Sequence, residues 1–211
     1  MRKSHVITAL TVIALAIGLG LVYRTQFPAR SPEATLLPEG IGIAAAEATA
    51  AALGNKGKVV LILPKRGNFK NPAVDVQQAA FGKTLARHKD LSLSATESIE
   101  VERPGTMGAG GMDPGEFQQL VQRHADASGF VSLADFPELP KETLATLKGK
   151  KFIVLGNANP NLKSLLTDGV VQAALVPRLR PAASDKKPGS AREWFSASYE
   201  VVTPANASTL P

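Results

Sequence analysis

Residues 151–178, KFIVLGNANPNLKSLLTDGVVQAALVPR, hold two apolar runs of strand length on either side of a stretch with helical spacing. FIVL at 152–155 and VVQAALV at 170–176 read as strands. Between them Asn159 is placed to cap a helix with Pro160 at its first position, and Gly169 is placed to end it. Leu162, Leu165 and Leu166 recur at i, i+3 and i+4, which gives that helix one apolar stripe. A strand, a short helix and a second strand with tight punctuation form a βαβ unit of a parallel sheet. Ligands of such sheets meet the carboxyl ends of the strands. Here that end is the Gly156-Asn157-Ala158-Asn159 loop, which is rich in amides and carries no acid, base or nucleophile. Its chemistry points to binding.

The same alternation extends along the chain. KVVLIL at 58–63 is a continuous apolar run, as in a strand buried on both faces. Ahead of it, residues 41–53 are rich in alanine and stop at Gly54, which predicts a helix. Residues 65–70 read as a loop, and Asn71-Pro72 opens a helix with Val74, Phe81 and Leu85 on one face. Residues 91–101 alternate as a strand with one interruption. A glycine-rich loop at 104–115 leads to a helix capped by Asp113-Pro114, with Phe117, Leu120, Val121 and His124 in register. A strand at 129–133 and a helix at 142–148 precede the opening unit. Residues 178–190 form a proline- and lysine-rich excursion, Trp194-Phe195 lead into a strand at 199–202, and the tail at 203–211 is expected to fray. This order predicts an α/β fold: an open, mainly parallel sheet with helices on both faces, a Rossmann-like single lobe. Asn71-Pro72, Asp113-Pro114 and Asn159-Pro160 should all start helices on one rim.

Composition refines this picture at two points. The net charge of +6 over 211 residues invites a nucleic-acid reading, but Arg2, Lys3, Arg24 and Arg30 against Glu33 place half of it in the first 36 residues. The rest is dispersed without a basic face, so no nucleic-acid partner is expected. The chain has no cysteine, which excludes disulfides, thiolate metal sites and cysteine nucleophiles. At the N-terminus, residues 1–5 are basic and 6–23 form an uncharged apolar run of membrane-spanning length. No small-residue cleavage pattern follows it, so the segment reads as an uncleaved anchor rather than a removed signal. The domains expected are a basic N-terminus at 1–5, a transmembrane anchor or signal at 6–23, a linker at 24–37, an α/β lobe at 38–206 and a tail at 207–211. The bulk of the chain is placed outside the cytoplasm, on a single-pass inner (cytoplasmic) membrane anchor.

From about Leu37 to Asn206 the motifs resemble the C-terminal half of the sugar-type periplasmic binding proteins, the type I solute-binding fold. A helix ending in glycine runs into KGKVVLIL at 56–63, and Gln77 to Leu85 parallels the family's helix with a "G-F-x-x-x-L" pattern. Val131-Ser-Leu-Ala134-Asp135 matches a strand ending in "N-D". Asn157-Ala-Asn-Pro160 through Ala173 matches its "G-F-D-x-x-P" rim and following helix, and Val201-Val-Thr-Pro-Ala-Asn206 its closing strand. The resemblance implies a non-enzymatic binder of a sugar or similar small solute. Its ligand-binding positions would be Asp135, Asn157, Asn159 and Gln77. Gln77 stands where the family has arginine and Asn157 where it has a carboxylate, groups that grip vicinal hydroxyls with charge-assisted hydrogen bonds. The family has two lobes; here only one is present, so its open face would be covered by a partner protein or a second copy.

Other candidate chemistry is weaker. Gly82-Lys83-Thr84 looks like the end of a P-loop but falls in mid-helix without the preceding glycine. The stretch at 105–115 lacks the third glycine of a dinucleotide fingerprint. His88 and His124 have no partners at ligand or catalytic spacing, Asn206-Ala-Ser208 is a glycosylation sequon by pattern alone, and Trp194 reads as a packing residue. No catalytic residue, metal ligand or cofactor is therefore assigned. The function expected is a membrane-anchored extracytoplasmic sensor or interaction module, with a stand-alone small-solute binder feeding a transport system as the alternative. An α/β hydrolase- or transferase-like enzyme ranks below both.

Overall fold

The structure is a computed structural model that describes residues 32–65, 71–101, 112–156, 159–179 and 187–210. The apolar segment expected at 6–23 and Asn157 lie outside the described residues. Helix α1 spans Pro32–Leu53, followed by β1 (Lys56–Lys65), α2 (Pro72–Leu85), β2 (Asp90–Glu100) and α3 (Pro114–Arg123). Then come β3 (Gly129–Ser132), α4 (Lys141–Thr146), β4 (Lys151–Leu155), α5 (Leu162–Thr167) and β5 (Val171–Pro177). Helix α6 (Ala191–Ser198), β6 (Tyr199–Val202) and a closing 3-10 helix (Pro204–Thr209) complete the order.

The six strands form one sheet in the order β2-β1-β3-β4-β5-β6. All neighbours are parallel except β5 and β6. The alternation in β1 explains why its apolar run is continuous. Val59, Leu61 and Leu63 enter the core with Ile41, Ala45, Phe81, Leu85 and Phe195, on the face of α1, α2 and α6. Val60 and Ile62 enter the opposite core with Phe117, Leu120, Leu147, Leu162, Leu166 and Ala207, under α3, α4, α5 and the 3-10 helix. From Val59 to Leu63 every side chain is buried on one face or the other.

Small residues set how closely α1 approaches its neighbours. A Cβ on Gly42 would fall 2.3 Å from the Gln77 carbonyl of α2, and one on Gly40 would fall 2.2 Å from the Ala191 carbonyl of α6. Backbone therefore meets backbone at both contacts. One described helix, Ala34–Leu53, is long and apolar enough to cross a membrane, and half of its most apolar window is buried inside this domain. It serves as a core helix.

Several boundaries differ from the sequence expectation. Helix α1 runs back to Pro32 with Pro38 inside it, so residues 32–37 are helical and not tether. Asn159-Pro160 does not start a helix: α5 begins at Leu162, with Asn161 at its cap position and no side-chain cap bond. Asn71 and Asp113 do cap their helices, accepting from Ala73 N at 3.1 Å and Glu116 N at 2.7 Å. The Trp194 region, read as a lead into a strand, is a full helix held by a capping box between Ser190 and Glu193. The tail is packed: Ala207 and Leu210 are buried and Lys163 Nζ donates to the Leu210 carbonyl at 2.8 Å. The interruption expected in the second strand is a bulge. Leu93 pairs with Val59 and Ala95 with Val60, while the Ser94 hydroxyl donates to the Val59 carbonyl at 3.0 Å.

Candidate functional site

The parallel strands all end on one rim, where several contacts among the described residues hold the loop after β3 against the one after β4. After Ser132 the chain turns through Asp135, a non-glycine residue at φ 73°. Aspartate tolerates this left-handed region better than most residues, at a cost of about 1 kcal/mol. Among the described residues, hydrogen bonds hold the turn. The Ser132 hydroxyl donates to the Asp135 carbonyl, and the Asp135 carboxylate accepts from Phe136 N at 2.9 Å. Asn159 Nδ2 donates to the Phe136 carbonyl at 2.9 Å. The Phe136 ring is buried, edge-on to Phe117 at 5.2 Å and to Phe152 at 5.5 Å. An aromatic anchor below and hydrogen bonds above fix the loop before any ligand arrives, which removes part of the ordering cost of binding.

Asn159 works on both sides of this contact. Its Oδ1 accepts from Asn161 N at 2.8 Å, an Asx-type turn, while its Nδ2 reaches back to the loop after β3. Of the expected site residues, Asp135 and Asn159 are thus brought together through Phe136. Gln77 is buried in α2, at the place where Gly42 of α1 packs against its carbonyl. Its surroundings are those of a helix contact.

Next to Asn159 the rim opens into a cavity of about 390 Å³ whose walls include Gly156, Leu162, Lys163, Arg178, Glu200 and Leu210. Gly156 makes room here, since a Cβ would lie 2.6 Å from the Leu162 side chain. Arg178, just past β5, straps the end of α6. Its Nε donates to the carbonyls of Ser196 at 2.9 Å and Tyr199 at 3.2 Å, and its Nη1 pairs with Glu200 at 3.1 Å. A cation at a helix C-terminus satisfies carbonyls that lack intrahelical donors. The Tyr199 ring stacks on Phe195 with centroids 5.9 Å apart, and burial pushes its phenol pKa up. Sequence reading missed Arg178, Glu200 and Lys163. The one available signal was an arginine directly after the proline that ends a strand, a position that always falls on the rim.

Elsewhere the candidate chemistry resolves into packing. Gly82, Lys83 and Thr84 lie in the last turns of α2, with Thr84 buried. His124 Nε2 lies 2.7 Å from Glu97 Oε1 and Arg123 lies 3.6 Å from the other carboxylate oxygen, which ties α3 to β2. Among the described residues, no three His, Asp or Glu side chains gather as a metal site.

No family model matches the chain, and no curated protein matches it by sequence. Solved structures do. An ABC-transporter solute-binding protein from Burkholderia graminis in complex with D-arabinose is 16% identical, over 81% of this chain and 61% of its own, with a TM-score of 0.55. AraP, an arabinose-binding protein from Geobacillus stearothermophilus, is 16% identical over 82% and 63%, with a TM-score of 0.56. A chain of the XylFII–LytSN complex is 12% identical over 80% and 60%, with a TM-score of 0.54. The chain therefore spans about three fifths of the length of the structures it matches. These likenesses, over one mainly parallel sheet with a core on each face, give this chain the fold of the type I solute-binding proteins, in the size of a single lobe.

Proposed function

We propose that this chain is a non-enzymatic, extracytoplasmic binding domain that presents its β3–β4 rim to a small sugar-like solute, with a second protein surface closing over that rim. The observation that carries the reading is the preorganised loop around Asp135. A left-handed aspartate held by Ser132, Phe136 and Asn159 at the carboxyl ends of parallel strands is where such a sheet meets ligands. Like-folded proteins crystallised with arabinose support the solute class. Support for an extracytoplasmic place, and for the anchor, comes from the basic residues 1–5 followed by the apolar run at 6–23.

A sensor or interaction role is favoured by a separate observation. The described residues form one lobe and so one wall of a cleft, and a site with one wall buries too little of a small ligand for tight binding. A partner protein or a second copy would supply a covering surface, and the XylFII–LytSN complex contains a chain of this fold.

Calorimetric titration of the full chain in lipid nanodiscs with D-arabinose, D-ribose and D-galactose tests the solute reading, alongside sedimentation velocity. At a thousandfold excess over Kd, a ligand would add about 4 kcal/mol of stability. Binding that Asp135→Asn weakens supports a rim site. No heat and no stabilisation with any sugar, on a chain that sediments as a dimer or complex, leaves the interaction module standing and removes the binder. A strict monomer with no partner removes the interaction module.

A further inference from the structure

The cavity beside the rim has a chemistry of its own. Leu162, Val176, Pro177 and Leu210 make it mostly apolar, and Leu179, 91% exposed, adds apolar surface to its lining. Three charged side chains join them. Glu200 is neutralised by Arg178 at 3.1 Å. Lys163 is different: its Nζ donates to the Leu210 carbonyl at 2.8 Å, and among the described residues no carboxylate pairs with it. An ammonium carries three N–H donors, so two remain, and the guanidinium of Arg178 holds donors beyond those spent on Ser196, Tyr199 and Glu200. Among the described residues the lining therefore has net charge +1, a surplus of cationic donors and an apolar remainder. Its volume of about 390 Å³ lies within the range of small-molecule sites, roughly 300–1,000 Å³.

We propose that this cavity binds a small organic acid, a carboxylate on an apolar body of a few carbons. Lys163 supplies the charge-assisted donor to the carboxylate, with Arg178 beside it, and Leu162, Val176, Pro177 and Leu210 cover the hydrocarbon part. A neutral polyol is the poorer fit, because its hydroxyls also need acceptors and, among the described lining residues, the one carboxylate is already engaged by Arg178. The site adjoins the Asp135 loop at Asn159, which also lines it, but its charged groups are other residues, and it stands whether or not that loop binds a sugar.

Hexanoate and hexanamide, matched in shape and different in charge, are the probes. Each is titrated calorimetrically into the full chain in nanodiscs, with empty nanodiscs as the blank for partition into lipid. Hexanoate is expected to bind about tenfold more tightly than the amide, the usual gap between a charged and a neutral hydrogen bond. Lys163→Gln should bring hexanoate down to the level of the amide, and Lys163→Arg should keep most of its affinity. Lys163→Arg should unfold like the parent, since it keeps a donor for the Leu210 carbonyl, and Lys163→Gln should lose only the modest contribution of that one bond from an exposed residue. Asp135→Asn should leave hexanoate binding unchanged, which separates this site from the rim. Equal binding of acid and amide, absence of binding by both, or unchanged hexanoate affinity in Lys163→Gln would each overturn the assignment.

Discussion

Asn159 Nδ2 donates to the Phe136 carbonyl at 2.9 Å and so joins the loops that leave two neighbouring strands, 23 residues apart in the chain. The buried Phe136 ring fixes the first loop from below, and the turn at Asn161 fixes the second from its other side. One amide therefore ties these two loops of the rim together.

Replacing it should be felt locally and globally. Asn159→Ala leaves the Phe136 carbonyl without its donor and is expected to cost about 1–2 kcal/mol in urea unfolding. Amide exchange at Phe136 should rise more than exchange in β4. An unchanged midpoint together with unchanged protection would show that the bond contributes nothing.

Asp135 tests the backbone of the same turn. At φ 73° the side chain must tolerate a left-handed conformation and also hold Phe136 N. Asp135→Asn keeps both abilities and should be close to neutral. Asp135→Ala loses the hydrogen bond and strains the backbone, with an expected loss of about 1–2 kcal/mol. Asp135→Gly recovers the backbone part only and should fall between them. A different ranking would contradict the geometry.

On the other face of the sheet, Gly42 of α1 packs against α2. A methyl group there would lie 2.3 Å from the Gln77 carbonyl, and the helix cannot yield without moving its neighbour. Gly42→Ala is expected to destabilise by roughly 1–3 kcal/mol despite its better helix propensity. Gly82, with nothing near its Cβ position, is the control: Gly82→Ala should stabilise α2 slightly. Thermal unfolding of the pair reads the contrast, and equal shifts would refute the close approach of α1 to α2.

Tyr199 gives a pH dependence. Burial raises its phenol pKa in the folded chain, so the folded state holds that proton more tightly than the unfolded one. Its contribution is fully present below the ordinary tyrosine pKa of about 10 and is lost as pH climbs through the raised folded value. Unfolding followed between about pH 9 and 11.5 should therefore show a decline that Tyr199→Phe flattens. An identical decline in the variant would place the effect in other groups.

Local signals along the chain are enough to set the layers of the fold. A buried run such as VVLIL, helical spacing in Phe117-Leu120-Val121 and caps at Asn71 and Asp113 are short-range signals, set by local backbone preferences and side-chain period. They sufficed for a parallel α/β sheet with a rim at its carboxyl ends. Where local signals compete, the sequence was ambiguous. Asn159-Pro160 looks like a helix start, but the Asn159 amide engages Asn161 and Phe136, and the helix begins only at Leu162. Which strand ends meet, and so which polar groups share a cavity, was decided by tertiary structure alone. Lys163, Arg178, Glu200 and Leu210 come together only because the antiparallel β6 and the packed tail close against β5 and α5. No periodicity encodes that meeting: it arises from burying Ala207, Leu210 and Val202 against the same face as Leu162 and Leu166.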